Sequence, residues 1–228
     1  MGTSGGRAWI AGVKTVKKET AWHVILPQII DGSDAQTIHA VLTGDVDRYA
    51  ELVDKYQAQA IRLACSLLGN DEDAHDVSQD AFVSAYQSLG RFQGRASFST
   101  WLYRIVVNKC KDVWKQRARR PVAVARVGEQ DPDDESEGGL FVVDVDDPGA
   151  TPSDQVANRE LSRQLSRAIG TLPMKQRTAF LLHHVHGLSL EEAAAVMRCR
   201  VGTVKSHIFR ATDALRTQLQ PWLAQEGL

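Results

Sequence analysis

Residues 189–210 read SLEEAAAVMRCRVGTVKSHIFR. Ser189 followed three positions later by Glu192 is a capping box, the signature of a helix start, and the alanine-rich run behind it carries a short helix as far as Met197. From Val201 a second helix begins, with Val204, Ile208, Ala211 and Leu215 recurring on one face up to about Leu219. The few residues between the two helices leave room only for a sharp corner, which is the helix-turn-helix pattern. In such a unit the second helix enters the DNA major groove with its N-terminal half. Here that surface holds Thr203, Lys205, Ser206, Phe209 and Arg210, with His207 beside them. The cations supply phosphate contacts, the hydroxyls bond phosphate or base, and Phe209 packs on a thymine methyl. An ordinary helical corner with a solvated basic face is the alternative.

Outward from this unit the periodicity stays helical. Upstream, Val156, Leu161, Leu165 and Ile169 mark a helix ending near Gly170; Pro173 opens another that runs through Phe180, Leu181, Leu182 and Val185 to Gly187. The first half begins with a short helix capped by Ser33 or Asp34 and stopped by Gly44. A longer helix bearing Tyr49, Leu52, Val53, Tyr56, Ile61, Leu63, Ala64, Leu67 and Leu68 ends at Gly69-Asn70. The next buries Ala74, Val77, Ala81, Phe82, Ala85, Tyr86 and Leu89, and turns Asp73, Asp76, Gln79 and Asp80 the other way. After a loop at 90–97, a fourth helix spans Phe98 to Arg117, with a stripe of Thr100, Arg104, Lys111 and Lys115. No segment reads as a strand. The expected fold is all-α: two small helical domains, 35–120 and 153–228, joined by an acidic linker at 121–152 and preceded by an unassigned extension, 1–34.

Charge divides the chain in the same way. Residues 95–128 hold nine basic side chains against Asp112 alone, residues 129–158 hold ten acids and no base, and residues 159–228 return to ten basic against five acidic. The net charge of −1 therefore conceals two basic blocks around an acidic one, as expected of two polyanion-binding modules. Three prolines and three glycines among the linker acids make that segment extended and largely disordered, with an apolar patch at 140–143.

Other classes lack support. No apolar run approaches the ~20 residues of a membrane helix, and a signal peptide's apolar block is missing, so a cytosolic chain without membrane insertion is expected. Cys65, Cys110 and Cys199 are odd in number and never form a CxxC, and they read as small apolar fillers. His183, His184 and His186 have no Cys, Asp or Glu at ligand spacing, so no metal or other cofactor is expected. Without a phosphate loop, nucleotide fingerprint or Ser-His-Asp arrangement, no enzymatic chemistry is visible. The loop at 90–97 and its helix interleave Arg91, Arg95, Phe92, Phe98, Trp101, Tyr103 and Trp114, which suits single-stranded nucleic acid; Phe98 and Trp101 read better as core, whereas loop-borne Phe92 is expected to be available to bases. The acidic face is either solvated or a docking surface for a basic partner.

The run 73–82 (DAHDVSQDAF), then Phe92-Gln93-Gly94, then 98–105 (FSTWLYRI) with Asn108, resembles domain two of the extracytoplasmic-function (ECF) sigma factors of bacterial RNA polymerase. Leu172-Pro173, Gly187-Leu188-Ser189, Glu192-Ala193-Ala194 and Val201 to Ser206 resemble their domain four, and the envelope-stress, sigma-E-like branch is the nearest in character. The resemblance implies a stress-response transcription initiation factor that directs core polymerase to promoters and assists melting, under the control of an anti-sigma factor. It further implies that Asp73, Asp76, Gln79 and Asp80 dock on the clamp helices of the largest polymerase subunit, and that domain four meets the β-subunit flap. Arg91, Phe92, Arg95, Arg104, Asn108 and Lys111 would serve the minus-ten element, with flipped bases captured at the Phe92 loop. Thr203, Lys205, Ser206, His207, Phe209 and Arg210 would serve the minus-thirty-five element. The linker would run toward the RNA-exit path. Three positions depart from the family pattern: Arg198 at a turn usually given to a small residue, Arg200 where proline is common, and His207 where arginine is common. A positive φ at Arg198 would strain that turn. A polymerase-independent helix-turn-helix regulator is the rival reading, and it leaves the acidic face and the Phe92 loop without a role.

Overall fold

The computed structural model describes residues 32–119 and 152–226. The expected linker and most of the expected N-terminal extension lie outside these residues. Every regular element among them is helical.

The first domain comprises α1 (Gly32–Thr43), α2 (Tyr49–Leu68), α3 (Asp71–Ser88) and α4 (Phe98–Arg119). Its core is built where α2, α3 and α4 meet, around Leu52, Leu63, Leu67, Phe82, Phe98 and Leu102. The fully buried Tyr49 resolves the problem of its phenol by donating to the Phe82 carbonyl at 2.8 Å. Gly69 ends α2 in the left-handed conformation (φ 66°), and the Asn70 side chain accepts from the Asp73 amide at 2.8 Å to start α3. The first helix differs from expectation. It begins at Gly32, so Asp34 is no cap; it lies 3% exposed and accepts from Lys55 at 2.6 Å and from the Tyr56 hydroxyl.

The second domain comprises α5 (Pro152–Thr171), α6 (Met174–Phe180), α7 (Leu190–Met197) and α8 (Val201–Glu226). Gly170 does not break α5, which continues to Thr171, and α8 runs through Pro221 beyond its expected end. α6 widens into a π-turn over Leu181–Val185, closed by the His186 amide on the Leu181 carbonyl at 2.9 Å. Ile169, Leu181, Leu182, Val196, Val204 and Ala211 form its core.

The two domains pack on one another, with α4 against α7. Cys65 and Cys110 are buried free thiols held up near 12, chiefly by burial, which fits the filler reading. No helix of the described residues is long and apolar enough to cross a membrane.

Candidate nucleic-acid interface

The corner in front of α8 is built as the sequence predicts. Ser189 Oγ accepts from the Glu192 amide at 3.1 Å while Glu192 Oε2 accepts from the Ser189 amide at 2.9 Å, which fixes the start of α7. Arg198 ends α7 with φ 54°, so the strained turn is real and costs roughly 1–2 kcal/mol relative to a glycine there. The Arg200 carbonyl then accepts from the amides of Thr203 (2.9 Å) and Val204 (3.2 Å) to open α8. With Val204 and Ala211 fully buried, the opposite face of α8 points to water. Thr203, Lys205, Ser206 and Arg210 are exposed there, and Phe209 is 74% exposed. A large ring left in water within a cationic patch is a contact surface in waiting. His207 stands apart. It is half-buried, its Nδ1 lacks a partner among the described residues, and burial together with Lys175 and Arg210 lowers its pKa, so it is neutral at neutral pH.

The helix α4 is arranged differently. Ser97 Oγ receives the Thr100 amide at 3.1 Å and starts it. The loop before it leaves Arg91, Gln93 and Arg95 exposed, but Phe92 is only 2% exposed, its ring centroid 5.1 Å from Trp101 and 6.1 Å from Phe98. The expectation that Phe92 offers its ring to bases is therefore corrected: the apolar cluster under the loop outweighs solvent for a ring that has nothing polar to satisfy. Asn108 is half-buried.

The stripe on α4 faces the second domain rather than solvent. Thr100, 3% exposed, donates to Glu192 of α7 at 3.2 Å; Tyr103 meets the His186 ring edge-on at 5.4 Å. Arg104 and Lys111 are half-buried, and burial is the main cause of their lowered pKa values. Arg198 pushes Arg104 the same way; at Lys111, Lys115, Lys175 and then Arg198 do so against an opposing influence of Cys199. Of the stripe, only Lys115 is exposed.

On α3, Asp76, Gln79 and Asp80 are exposed and Asp73 is half-buried. α4 reaches over to two of them: Lys109 lies 3.5 Å from Asp80, and Arg117 bonds Asp73. Exposed pairs of this kind hold to the extent of about 0–1 kcal/mol, so a partner's cations can displace them.

Several residues at the domain junction carry no signal in the sequence. Arg177, 5% exposed, crosses from α6 to α2 and donates to the Leu67 carbonyl at 2.9 Å. His186 and Glu192 line a cleft of about 420 Å³ with Tyr56, Arg62 and Tyr103 from the first domain. Burial, and then Arg62, push His186 down to about 4. His183 places Nδ1 2.8 Å from the Leu188 carbonyl, and no group of three potential metal ligands occurs among the described residues.

Comparison with known proteins gives the family. The sigma-70 region 2 family model matches residues 52–120, and the sigma-70 region 4 model matches residues 162–215. The RNA polymerase sigma-H factor of Pseudomonas aeruginosa is 38% identical over 192 residues, covering 84% of this chain and 96% of that protein. The ECF RNA polymerase sigma-E factor of Escherichia coli is 36% identical over 189 residues, 83% of this chain and 95% of that one. The ECF sigma factor SigW of Bacillus subtilis is 36% identical over 183 residues, 80% and 95%. The fold recurs in the sigma factor RpoE of Bartonella quintana, solved in complex with the anti-sigma factor NepR (TM-score 0.53, 21% identity, 75% of this chain and 95% of that one). It recurs also in CnrH, solved with the cytosolic domain of CnrY (TM-score 0.56, 22% identity, 82% and 96%). Both family regions, in order along one chain, and full-length relatives above the level of chance place this protein among the ECF sigma factors of bacterial RNA polymerase, initiation factors that bind core enzyme and promoter DNA and are not themselves enzymes.

Proposed function

We propose that the chain works in the cytoplasm as an alternative sigma factor in which each exposed face has a separate partner. The observation that carries this reading is the separation itself: an exposed acidic face on α3 and an exposed cationic and aromatic face at the start of α8, on different domains. Asp76, Gln79 and Asp80, supported by Asp73, dock on basic helices of the largest polymerase subunit, and the second domain rests on the β-subunit flap. Thr203, Lys205, Ser206, Phe209 and Arg210 meet the minus-thirty-five duplex in the major groove, the cations on phosphate or guanine and the ring on thymine methyls. His207, neutral and half-buried, contributes shape at that surface rather than charge.

Arg91, Arg95, Arg104, Asn108 and Lys111 serve the minus-ten element. Flipping a base costs a few kcal/mol, offset by the exposed arginines of the loop and by polymerase contacts. Phe92 supports that loop from below: its ring, fixed on Trp101 and Phe98, holds Arg91 and Arg95 outward. An anti-sigma protein restrains the factor until a stress signal releases it; the sigma factor RpoE, which shares this fold and was solved in complex with an anti-sigma factor, supports this reading.

Titration of core polymerase with Asp76→Lys tests the central assignment. Affinity should fall while helicity stays intact, because like charge then faces a basic surface. Unchanged affinity would remove α3 as the docking face. Runoff transcription over a promoter library with the wild-type chain then identifies the elements read.

A further inference from the structure

The cleft at the domain junction has no part in the polymerase or promoter assignments. Its volume of about 420 Å³ lies within the range of small-molecule sites, roughly 300–1,000 Å³. The first domain supplies Gln59 and Arg62 from α2 and Thr100 and Tyr103 from α4; the second supplies His186 and Glu192. Two contacts tie the walls together: Thr100 donates to Glu192 at 3.2 Å, and the Tyr103 and His186 rings meet at 5.4 Å.

The two walls are not matched in charge. Arg62 is exposed, and its guanidinium makes no ion pair or hydrogen bond among the described residues. Its charge nevertheless reaches both Tyr103 and His186, which places it over the cleft. Glu192 is the lining carboxylate among the described residues, and it is already engaged, Oε1 by Thr100 and Oε2 by the Ser189 amide. A positive charge is thus left without a counter-charge in a concave surface, where its field is focused.

Hydrogen-bonding capacity is left over as well. Tyr103 donates to Gln59 Oε1 at 2.9 Å, and the Gln59 amide nitrogen makes no bond among the described residues. The His186 ring, neutral at neutral pH, keeps one donor and one acceptor nitrogen, and its Nε2 is buried with no partner among the described residues. A buried polar atom of this kind calls for a water, an ion or a ligand. The lining has only Val185 and Leu188 as aliphatic side chains larger than glycine, too little for an apolar ligand. A free guanidinium beside amide, hydroxyl and imidazole groups suits an anion that also carries hydroxyls.

We propose that this cleft binds a small hydroxylated phosphate ester, a sugar phosphate in size and charge, with its phosphate on Arg62 and its hydroxyls on Gln59, His186 and Glu192. The carboxylate oxygens of Glu192 each retain a lone pair for a ligand hydroxyl. Binding here is independent of the faces assigned to polymerase and promoter, and both domains contribute to it.

The test is calorimetric titration of the full chain with ribose 5-phosphate, glucose 6-phosphate, fructose 6-phosphate and glycerol 3-phosphate. Glucose and inorganic phosphate serve as the separated parts. At least one ester should bind roughly ten-fold more tightly than either part, since both groups of contacts act together. The His186 ring-proton resonance, identified by its loss in His186→Gln, should move on saturation. Arg62→Gln should weaken binding roughly ten-fold or more, the usual loss for a hydrogen bond to a charged group. Arg216→Gln removes the same charge from an exposed position on α8 outside the cleft and should leave binding unchanged. His186→Phe should weaken binding, and His186→Gln should restore part of it, because an amide can stand in for a ring nitrogen. Arg62 makes no internal bond, so its variant keeps the fold, which circular dichroism checks for all four. No binding by any of the esters would overturn the proposal. So would inorganic phosphate binding as tightly as the esters, which means an adventitious ion only, an equal loss in Arg62→Gln and Arg216→Gln, or an unmoved His186 resonance in a chain that binds.

Discussion

The loop and helix around α4 and the start of α8 have similar sequences in the chemical sense, each setting an aromatic ring among arginines and lysines, yet the folded protein treats them oppositely. Phe209 is 74% exposed and Phe92 is 2% exposed. Lys205 and Arg210 stand in water, whereas Arg104 and Lys111 are half-covered by the neighbouring domain. The difference lies in what each helix packs against. α8 is held in its domain chiefly by Val204, Ala211 and Leu215, with Ile208 and Leu219 packed beside them, and its other face is left over. α4 has its domain's core on one side and a second domain on another. A basic, aromatic pattern therefore identifies a nucleic-acid surface only after the neighbours of the helix are known.

The comparison is broken most directly at the two rings. Phe92→Ala should cost about 3–5 kcal/mol of stability, the usual penalty for emptying a buried aromatic site. Phe209→Ala should change stability by less than about 0.5 kcal/mol and weaken duplex binding instead. Urea unfolding of both variants decides the matter, and equal stability loss would mean that the rings are not differently placed.

Acid should act most strongly on the covered side. His186 faces the Tyr103 ring and shares its cleft with Arg62 and Glu192, and its pKa is about 4 in the folded chain. A histidine held below its ordinary value favours the neutral form, so its contribution is complete above pH 6.5 and is lost as pH falls toward 4. The unfolded chain takes up the proton first. The loss is on the order of 3 kcal/mol. Unfolding midpoints measured across this window should fall less steeply for His186→Gln than for the wild type, and parallel curves would refute the assignment.

On the open side, Arg210→Ala should weaken minus-thirty-five binding by roughly 1–3 kcal/mol if the guanidinium grips a base. If it grips phosphate, the salt dependence should flatten by about one unit. Duplex titrations by the full chain at several salt concentrations distinguish the two. Unaltered affinity and slope in the Lys205→Ala, Arg210→Ala double variant would show that α8 does not read DNA.

The smallest expected effect sits at the corner that touches both surfaces. Arg198→Gly relieves a left-handed backbone and removes a like charge facing Arg104 and Lys111. Stability should rise by about 1 kcal/mol. A gain that persists at high salt isolates the backbone part, since the charge part is screened.

Much of this protein was legible before any coordinates. The helices, the Gly69-Asn70 junction, the Ser189–Glu192 capping box and the helix-turn-helix corner follow from local rules, because periodicity, caps and turns are set by residues only a few positions apart. The strain at Arg198 was an expectation of the family resemblance alone, which puts a small residue at that turn. The burial of Phe92, the buried role of Asp34 and the crossing of Arg177 to α2 could not be read from local rules. Each depends on what lies opposite in space: Trp101 beneath the loop, Lys55 and Tyr56 beside α1, and the Leu67 carbonyl a whole domain away from Arg177. Residue order along each helix sets which faces are apolar, acidic or basic. Tertiary structure alone decided which of those faces meet water, because burial belongs to pairs of surfaces brought together from distant parts of the chain.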